Sequence, residues 1–540
     1  CQVIPRQGFR TLIRLKDGKF FEPFEKTESS RVEQKMLISS GELELRESRK
    51  DPALDIEVLY FPLVQYPVPA FVRQLTLRNR GKKSIKLELL DGLSRILPYG
   101  MDENHVKSTA RHIEGMMGVE EIAGITVFRL KQTAADREEI GEISGGNFYF
   151  SLSGDTLSPG EYIVDPAVLF DEPFNYDAAR RFEEEGLKGV LASEQIRECR
   201  TPCAFTGIKV NLKSESEFRL TSLIGACLED EALVQLSKDA VKEDFFFFCR
   251  YYNREILDRI KNYALTVSHE RVFDQYCGQD FLDNVIRGGM PLIFENEGKR
   301  TVFYLYSRQN GDLERDYHHF VIEPTYLSQG NGHYRSVHQN RRMDTWFFPE
   351  IEDANLHTFM DLIQLDGYNP LEVRGISFAV TDRAGLEKWL KKLVGKGDIS
   401  ALLKLVETPF TPGEFLRELE KITDFHPARY REIVSELLAF CREDECGGLH
   451  EGFWVDHWTY NLDLIDSYLM IYPDRLRQLL IGRDDYTFFD DPDVVLPRDR
   501  KMVEVGDKVR CYGSVVRDRE KEDLIRSRDE RPFRVRTRRG

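Results

Sequence analysis

The apolar residues of this chain change their spacing once, and that change limits what it can fold into. Up to about residue 235 the apolar positions alternate. Phe71–Leu77 and Ile85–Leu89 have a period of two, with the turn signal Asn79-Arg80-Gly81 between them. Similar runs follow at Ile125–Leu130, Phe148–Leu152, Gly207–Leu212 and Phe218–Ile224. Many short strands with turn punctuation predict a large antiparallel β-sandwich over 1–235.

Beyond Lys242 the spacing becomes three and four. Ile256, Ile260, Tyr263 and Ala264, then Phe273, Tyr276, Phe281 and Val285, predict helices. Residues 236–270 are expected to form a helical linker. Further helices are expected at about 353–366, 385–407, 412–423, 427–441 and 458–471, with Pro412 and Pro427 as start signals. Long aromatic-rich loops over 300–350 and 442–457 join them, and such loops more often carry function than not. The mixed charge run 515–532 is expected to be a solvated helix or insertion. The fold class is therefore α+β and multidomain. A sandwich is followed by helices over 271–540 that suit an (α/α)6 toroid but are too few to close it.

Composition narrows the partners. With 41% apolar and 31% charged residues, the chain is an ordinary globular one. A formal net charge of −16 argues against nucleic acid and against an anionic membrane, and no run is long enough to span a bilayer. The nine cysteines are scattered. Cys199 with Cys203, and Cys441 with Cys446 near His450, lack the paired spacing of a zinc site, so no metal is expected and a reducing cytoplasm is. The sequence starts at Cys1 and stops at RPFRVRTRRG, and both ends look cut, so an internal fragment of a longer protein is the expectation.

The segment Glu323–Arg374 is the chemically richest. It places Arg335, Arg341, Arg342, Asp344, Asp353, Asp361, Asp366 and Arg374 among Tyr334, Trp346, Phe347 and Tyr368. Flat rings beside bidentate hydrogen-bonding groups suit a ligand that is itself a ring with several hydroxyls, a sugar. The bland alternative is a surface of ion pairs around buried aromatics. Asp366-Gly367-Tyr368-Asn369-Pro370 is expected to be a helix exit and turn, which explains Gly367 and Pro370 without function and leaves Asp366 and Asn369 open. For Arg308, Gln309, Asn310 and Asp312, a sugar platform and a packed hairpin both fit. His318 and His319 are expected to be structural.

The segments YSRQNGDLERDYHHFVIEPTYLSQGNGHYRSVHQNRRMDTWFFP, DANLHTFMDLIQLDGYNPLEV and GFWVDHWTYNLDLIDSYLMIYPD resemble the large bacterial proteins related to cellobiose phosphorylase, glycoside hydrolase family 94 and its β-glucan phosphorylase relatives. The resemblance covers about residues 55 to 500. It implies a β-sandwich, a linker helix pair and an (α/α)6 barrel. The implied reaction is inverting phosphorolysis of a β-glucosidic bond in a β-gluco-oligosaccharide, giving α-glucose 1-phosphate. Inorganic phosphate is the co-substrate and no cofactor is implied. Because phosphate arrives as an anion, only a general acid is needed, where an inverting hydrolase needs an acid and a base.

Carried onto this chain, the substrate-binding candidates are Arg335, Ser336, Gln339, Asn340, Arg341, Asp344, Trp346, Asp366, Asn369, Trp454, His457 and Trp458, with Asp456 as candidate acid. Apolar walls such as Trp454 and Trp458 would raise the Asp456 carboxyl, which an acid catalyst needs, although a structural helix N-cap is the stronger reading of that residue. The sequence departs from the family where Ser336 replaces an expected Asp and His338 an expected Asn, which puts glycone binding in question. The Gly-Trp-x-Asp signature is incomplete, and a 540-residue fragment is expected to be inactive alone. A hydrolase on the same fold, with Glu323, Asp344 or Asp353 as a second carboxylate, and a non-catalytic glycan-binding relative are the alternatives. The sequence leaves a homodimer open.

Overall fold

The structure is a computed structural model. It describes residues 6, 8–27, 29–97, 99, 112–131, 145–170, 176–296, 298–305, 326–330, 332–369, 371–373, 375–423, 425–444, 447–449, 457–483, 485–486, 488, 490–511 and 515–527. The chain forms two compact units, Cys1–Arg259 and Ile260–Gly540.

In the first unit, alternation becomes two antiparallel sheets. The five-stranded sheet runs in the order Glu161–Ile163, Ala204–Leu212, Ile85–Leu93, Phe9–Leu15, Phe20–Phe21. The nine-stranded sheet starts with the edge strand Val32–Ile38, then Leu43–Lys50, Ala53–Leu63 and Ala70–Asn79. It continues through Glu217–Cys227, Gly146–Ser153, Ile125–Leu130 and Met117–Ile122, with Thr156–Leu157 beside Gly146–Ser153. Leu54, Ile56, Leu75 and Leu77 from the large sheet meet Ile13, Leu87, Leu89 and Val210 from the small one, forming the filling between the sheets. Residues of opposite parity, such as Phe61, Val72 and Leu223, pack under Leu233 and Leu236 of the helix Asp230–Ala240. The outer face of the small sheet is covered in the same way by Phe182 and Leu187 of the helix Arg180–Leu191. The large antiparallel sheet expected in the N-terminal region is therefore present.

The second unit is mixed. The helix Arg271–Gly288 leads into a hairpin, Met290–Asn296 paired with Lys299–Leu305. The helices Tyr334–Arg341 and Ala354–Met360 pack with His457–Ile471 around Tyr334, Val337, Phe359, Leu464 and Tyr468. A second core gathers Phe303, Phe378, Leu390, Phe415 and Leu437 from the hairpin, from the strand Ser377–Val380 and from the helices Arg383–Val394, Pro412–Glu420 and Tyr430–Leu438. Pro412 opens its helix behind a capping box, Thr411 Oγ1 accepting from Glu414 N at 3.3 Å and Glu414 Oε2 accepting from Thr411 N at 2.7 Å. These elements do not establish a toroid. No described helix is long and apolar enough to cross a membrane.

Candidate functional site

Between the hairpin and the helices of the second unit lies a cavity of about 520 Å³. That volume falls in the range of small-molecule sites. The hairpin supplies Arg300 and Tyr304 to its wall, the helix Tyr334–Arg341 supplies Arg341, and the start of Ala354–Met360 supplies Glu352, Asp353 and His357.

Arg341 is the central cation. It is 5% exposed, its guanidinium lies 3.6 Å from the centre of the Tyr304 ring, and its Nε donates to Gly288 O. Gly288 lets the two approach, since a Cβ there would stand 3.2 Å from Arg341 Cγ. Among the described residues no carboxylate lies within ion-pair distance of Arg341, so stacking on an aromatic face is its main electrostatic partner. Burial lowers its pKa, against the pull of Tyr304 and Asp344.

Behind Tyr304 lies a short polar chain. The Tyr304 hydroxyl donates to Asp344 Oδ2 at 2.8 Å and accepts from Asn355 Nδ2 at 2.8 Å. Burial raises the Asp344 carboxyl to about 7, although Tyr304, Arg341 and Asn355 all favour its charged form. Burial, with Asp344 alongside, also raises the Tyr304 phenol.

The opposite wall is an ion-pair lattice. Glu352 receives Arg300 Nη1 at 3.1 Å and Arg475 Nη1 at 2.9 Å. Burial raises its carboxyl, but the two arginines outweigh it and the net shift is downward. Asp353 pairs with Arg483, which also holds Asp485 and keeps its carboxyl at about 2. His357 stacks on Tyr486 with ring centres 4.6 Å apart, and its Nδ1 is 3.5 Å from Asp361 Oδ2.

Of the residues singled out in the sequence, Arg341 lines the cavity and Asp344 stands behind its wall. Arg335 and Gln339 are exposed on the same helix, and Ser336 and Asn340 are half-buried, with Asn340 Nδ2 donating to Ser336 O at 2.7 Å. Arg342 pairs with Asp463 at 2.9 Å. His338 is buried and stacks on Phe359, ring centres 4.1 Å apart. Trp346 is 46% exposed.

Asp366, Asn369 and Trp458 gather at a second place. Asp366 Oδ1 accepts from Tyr368 N at 3.0 Å and Gln364 Nε2 at 3.1 Å, and its Oδ2 from Val495 N at 2.7 Å, so this carboxylate clamps a turn. Asn369 is buried beside the Tyr334 hydroxyl, and the Trp458 ring covers Gly367. Asp456 and Trp454 lie outside the described residues, as do Arg308, Gln309, Asn310, Asp312, His318, His319, Glu323, Arg374, Pro370, Cys446 and His450. His457 opens its helix, with nothing described of its side chain.

Sequence reasoning passed over Arg300, Asn355, Glu352 and His357. The alternation of Met290–Leu305 about Asn296 and Gly298 was the available signal for the hairpin that carries Arg300 and Tyr304.

No protein-family model matches this sequence, and no curated protein matches it at a significant level. Among solved structures, a protein described as a kojibiose phosphorylase from the human microbiome superposes with a TM-score of 0.24 at 9% identity, covering 52% of this chain and 28% of that one. A polysaccharide lyase superposes at 0.21 and 9%, covering 42% of this chain and 27% of that one. The chain thus spans little more than a quarter of the length of either protein. At these scores neither match assigns a fold or a reaction to this chain.

Proposed function

We propose that the helical unit acts on a β-gluco-oligosaccharide, cleaving a β-glucosidic bond by inverting phosphorolysis to release α-glucose 1-phosphate. The reading joins the sequence resemblance to the cellobiose phosphorylase group with the chemistry of the Arg341 cavity. The observation that carries it is Arg341 itself, a buried cavity-lining guanidinium with no described carboxylate within ion-pair distance. Such a group suits phosphate or an oxygen-rich sugar and is costly to bury without either. Inorganic phosphate is the co-substrate, and no organic cofactor enters the reaction. The partial toroid and the cytoplasmic setting belong to the same proposal.

Hydrolysis is the second reading, and the carboxylates at the wall favour it. Glu295, Glu352, Asp353 and Glu443 all line the cavity, and a hydrolase needs a pair of carboxyl groups. Against it, Glu352 and Asp353 are already held by arginines.

The test is to incubate the full-length protein with β-linked gluco-oligosaccharides, with and without inorganic phosphate, and to assay sugar phosphate and free glucose separately. Phosphate-dependent release of α-glucose 1-phosphate supports the proposal. Equal turnover without phosphate transfers the assignment to hydrolysis. Calorimetric binding with no turnover in either condition assigns a glycan-binding relative.

A further inference from the structure

Among the described residues the two sheets of the first unit have four edges, and three of them are protected. The small sheet ends in Glu161–Ile163 and Phe20–Phe21, strands of three and two residues, too short to template another chain. At one end of the large sheet, Met117–Ile122 is covered by a neighbouring segment, with Val119 N donating to Arg197 O and Cys199 N to Met117 O, both at 2.9 Å. The fourth edge is Val32–Ile38. It is seven residues long, and among the described residues nothing pairs with its outer side. Met36, Leu37 and Ile38 on it are 63%, 42% and 77% exposed.

The hairpin register shows which backbone groups are on offer. Lys50 N donates to Arg31 O and Ser39 N to Glu42 O, so odd-numbered residues of the strand bond inward to Leu43–Lys50. Gln34, Met36 and Ile38 therefore direct their N–H and C=O groups outward. Val32 offers its C=O, because its N–H already donates to Ser29 O at 3.1 Å.

We propose that this edge pairs with the same edge of a second copy of the chain, antiparallel about a two-fold axis at Gln34. In that register the two Gln34 residues exchange both backbone bonds, and each Met36 N–H meets the opposite Val32 C=O. Met36 covers Val32 of the other copy on one face. On the other face, Glu33 of each copy lies opposite Lys35 of its mate. Charge selects this register. An axis at Glu33 would oppose two carboxylates, and one at Lys35 would oppose two ammonium groups. An axis at Met36 would set Lys35 against Leu37 and leave both charges without an opposite partner. Within one copy Glu33 already bonds Lys35 at 2.7 Å, and pairing extends this to a four-charge cluster. Among the described residues of the first unit this is the one long exposed edge, and an isologous two-fold contact uses it up in both copies, so pairing through it closes at two.

The edge is small, so the dimer is concentration-dependent. Sedimentation equilibrium of the whole chain tests it, with folding checked by circular dichroism. Wild type is expected to dimerise reversibly. Glu33→Lys makes the edge wholly positive and Lys35→Glu wholly negative, and each should weaken self-association by roughly tenfold or more. An equimolar mixture of the two variants should recover a dimer, as should the double exchange E33K/K35E within one chain. A wild type that stays monomeric at every accessible concentration overturns the proposal. So does a dimer indifferent to both single reversals, which would place the interface elsewhere. Failure of the mixture to dimerise would reject the register.

Discussion

Arg73 and Asp91 form an ion pair from one sheet of the first unit to the other, Arg73 Nη2 to Asp91 Oδ1 at 2.9 Å, with 2% and 0% of their respective side chains exposed. Arg73 belongs to Ala70–Asn79 and Asp91 to Ile85–Leu93, so the pair lies in the filling between the sheets. Thr11 Oγ1 donates to Asp91 Oδ1 at 2.6 Å, and the Tyr149 hydroxyl donates to Asp91 O at 2.9 Å. Two charges taken out of water tolerate loss of both members better than loss of one. Asp91→Ala should therefore destabilise the first unit by about 3–5 kcal/mol, while the double replacement Arg73→Met with Asp91→Leu should recover most of that. Denaturant unfolding followed by far-ultraviolet circular dichroism reads the difference. A double variant as unstable as the single one would show that the pair itself, rather than the stranded charge, matters.

Asp344 gives the second unit a pH dependence with a definite sign. Burial raises its carboxyl to about 7, well above the value of about 3.9 for an unfolded chain. The folded state thus holds this proton more tightly than the unfolded state. The stability it supports is present in full below about pH 4 and is lost as pH rises through 7. Asp344→Asn removes the titration and still accepts the Tyr304 hydroxyl bond. The variant should match wild type at about pH 4 or below and exceed it by about 1–3 kcal/mol at pH 8. Thermal unfolding across that range checks it, and parallel curves for the two proteins would exclude Asp344 as the titrating group.

How far these features could be read from the sequence depended on what each residue faces. Ile125–Leu130 was legible to the residue because it is a short, turn-bounded run of β-branched and aromatic residues, buried on both faces. Ala53–Leu63 was harder, since Leu54, Ile56 and Val58 face the other sheet while Phe61 and Leu63 face the helices, and the period slips in passing from one face to the other. Val32–Ile38 has almost no buried face, so no burial pattern was available to mark it. At the site, the Arg and aromatic density around Arg341 was visible. The bond from Tyr304 to Asp344 was not, because it depends on a hairpin that returns from a distant part of the sequence. Asp366 shows the same restriction from the other side. Its oxygens accept from Tyr368 N and Val495 N, and backbone donors leave no trace in composition.

Gly367 and Trp458 test the second cluster. Gly367 has φ of 86°, and a Cβ there would stand 3.2 Å from Trp458 Cζ2. Gly367→Ala meets both a left-handed backbone and a ring that must move, so it should cost about 1–3 kcal/mol. Because the indole is displaced, the tryptophan emission should shift as well. A loss of stability with unchanged emission would assign the cost to the backbone alone.

Arg341 and Arg335 lie on one helix but face different surroundings, one buried at the cavity and one exposed, and this separates two locations for the sugar. If substrate occupies the cavity, Arg341→Lys should keep the charge but lose the planar, stacked geometry on Tyr304, weakening binding of phosphate or oligosaccharide by about 1–2 kcal/mol. Arg341→Ala should cost more and also destabilise the fold, because Gly288 O loses its donor. Arg335→Ala should then leave binding unchanged. The family resemblance points the other way, to a charge-assisted contact from Arg335 whose loss would cost about 1.5–3 kcal/mol, with Ser336→Asp holding or improving affinity. Calorimetric titration of the three arginine variants and Ser336→Asp with a β-gluco-oligosaccharide decides between them. Loss confined to the Arg341 variants places the ligand in the cavity, and loss confined to Arg335→Ala places it on the exposed face of the helix.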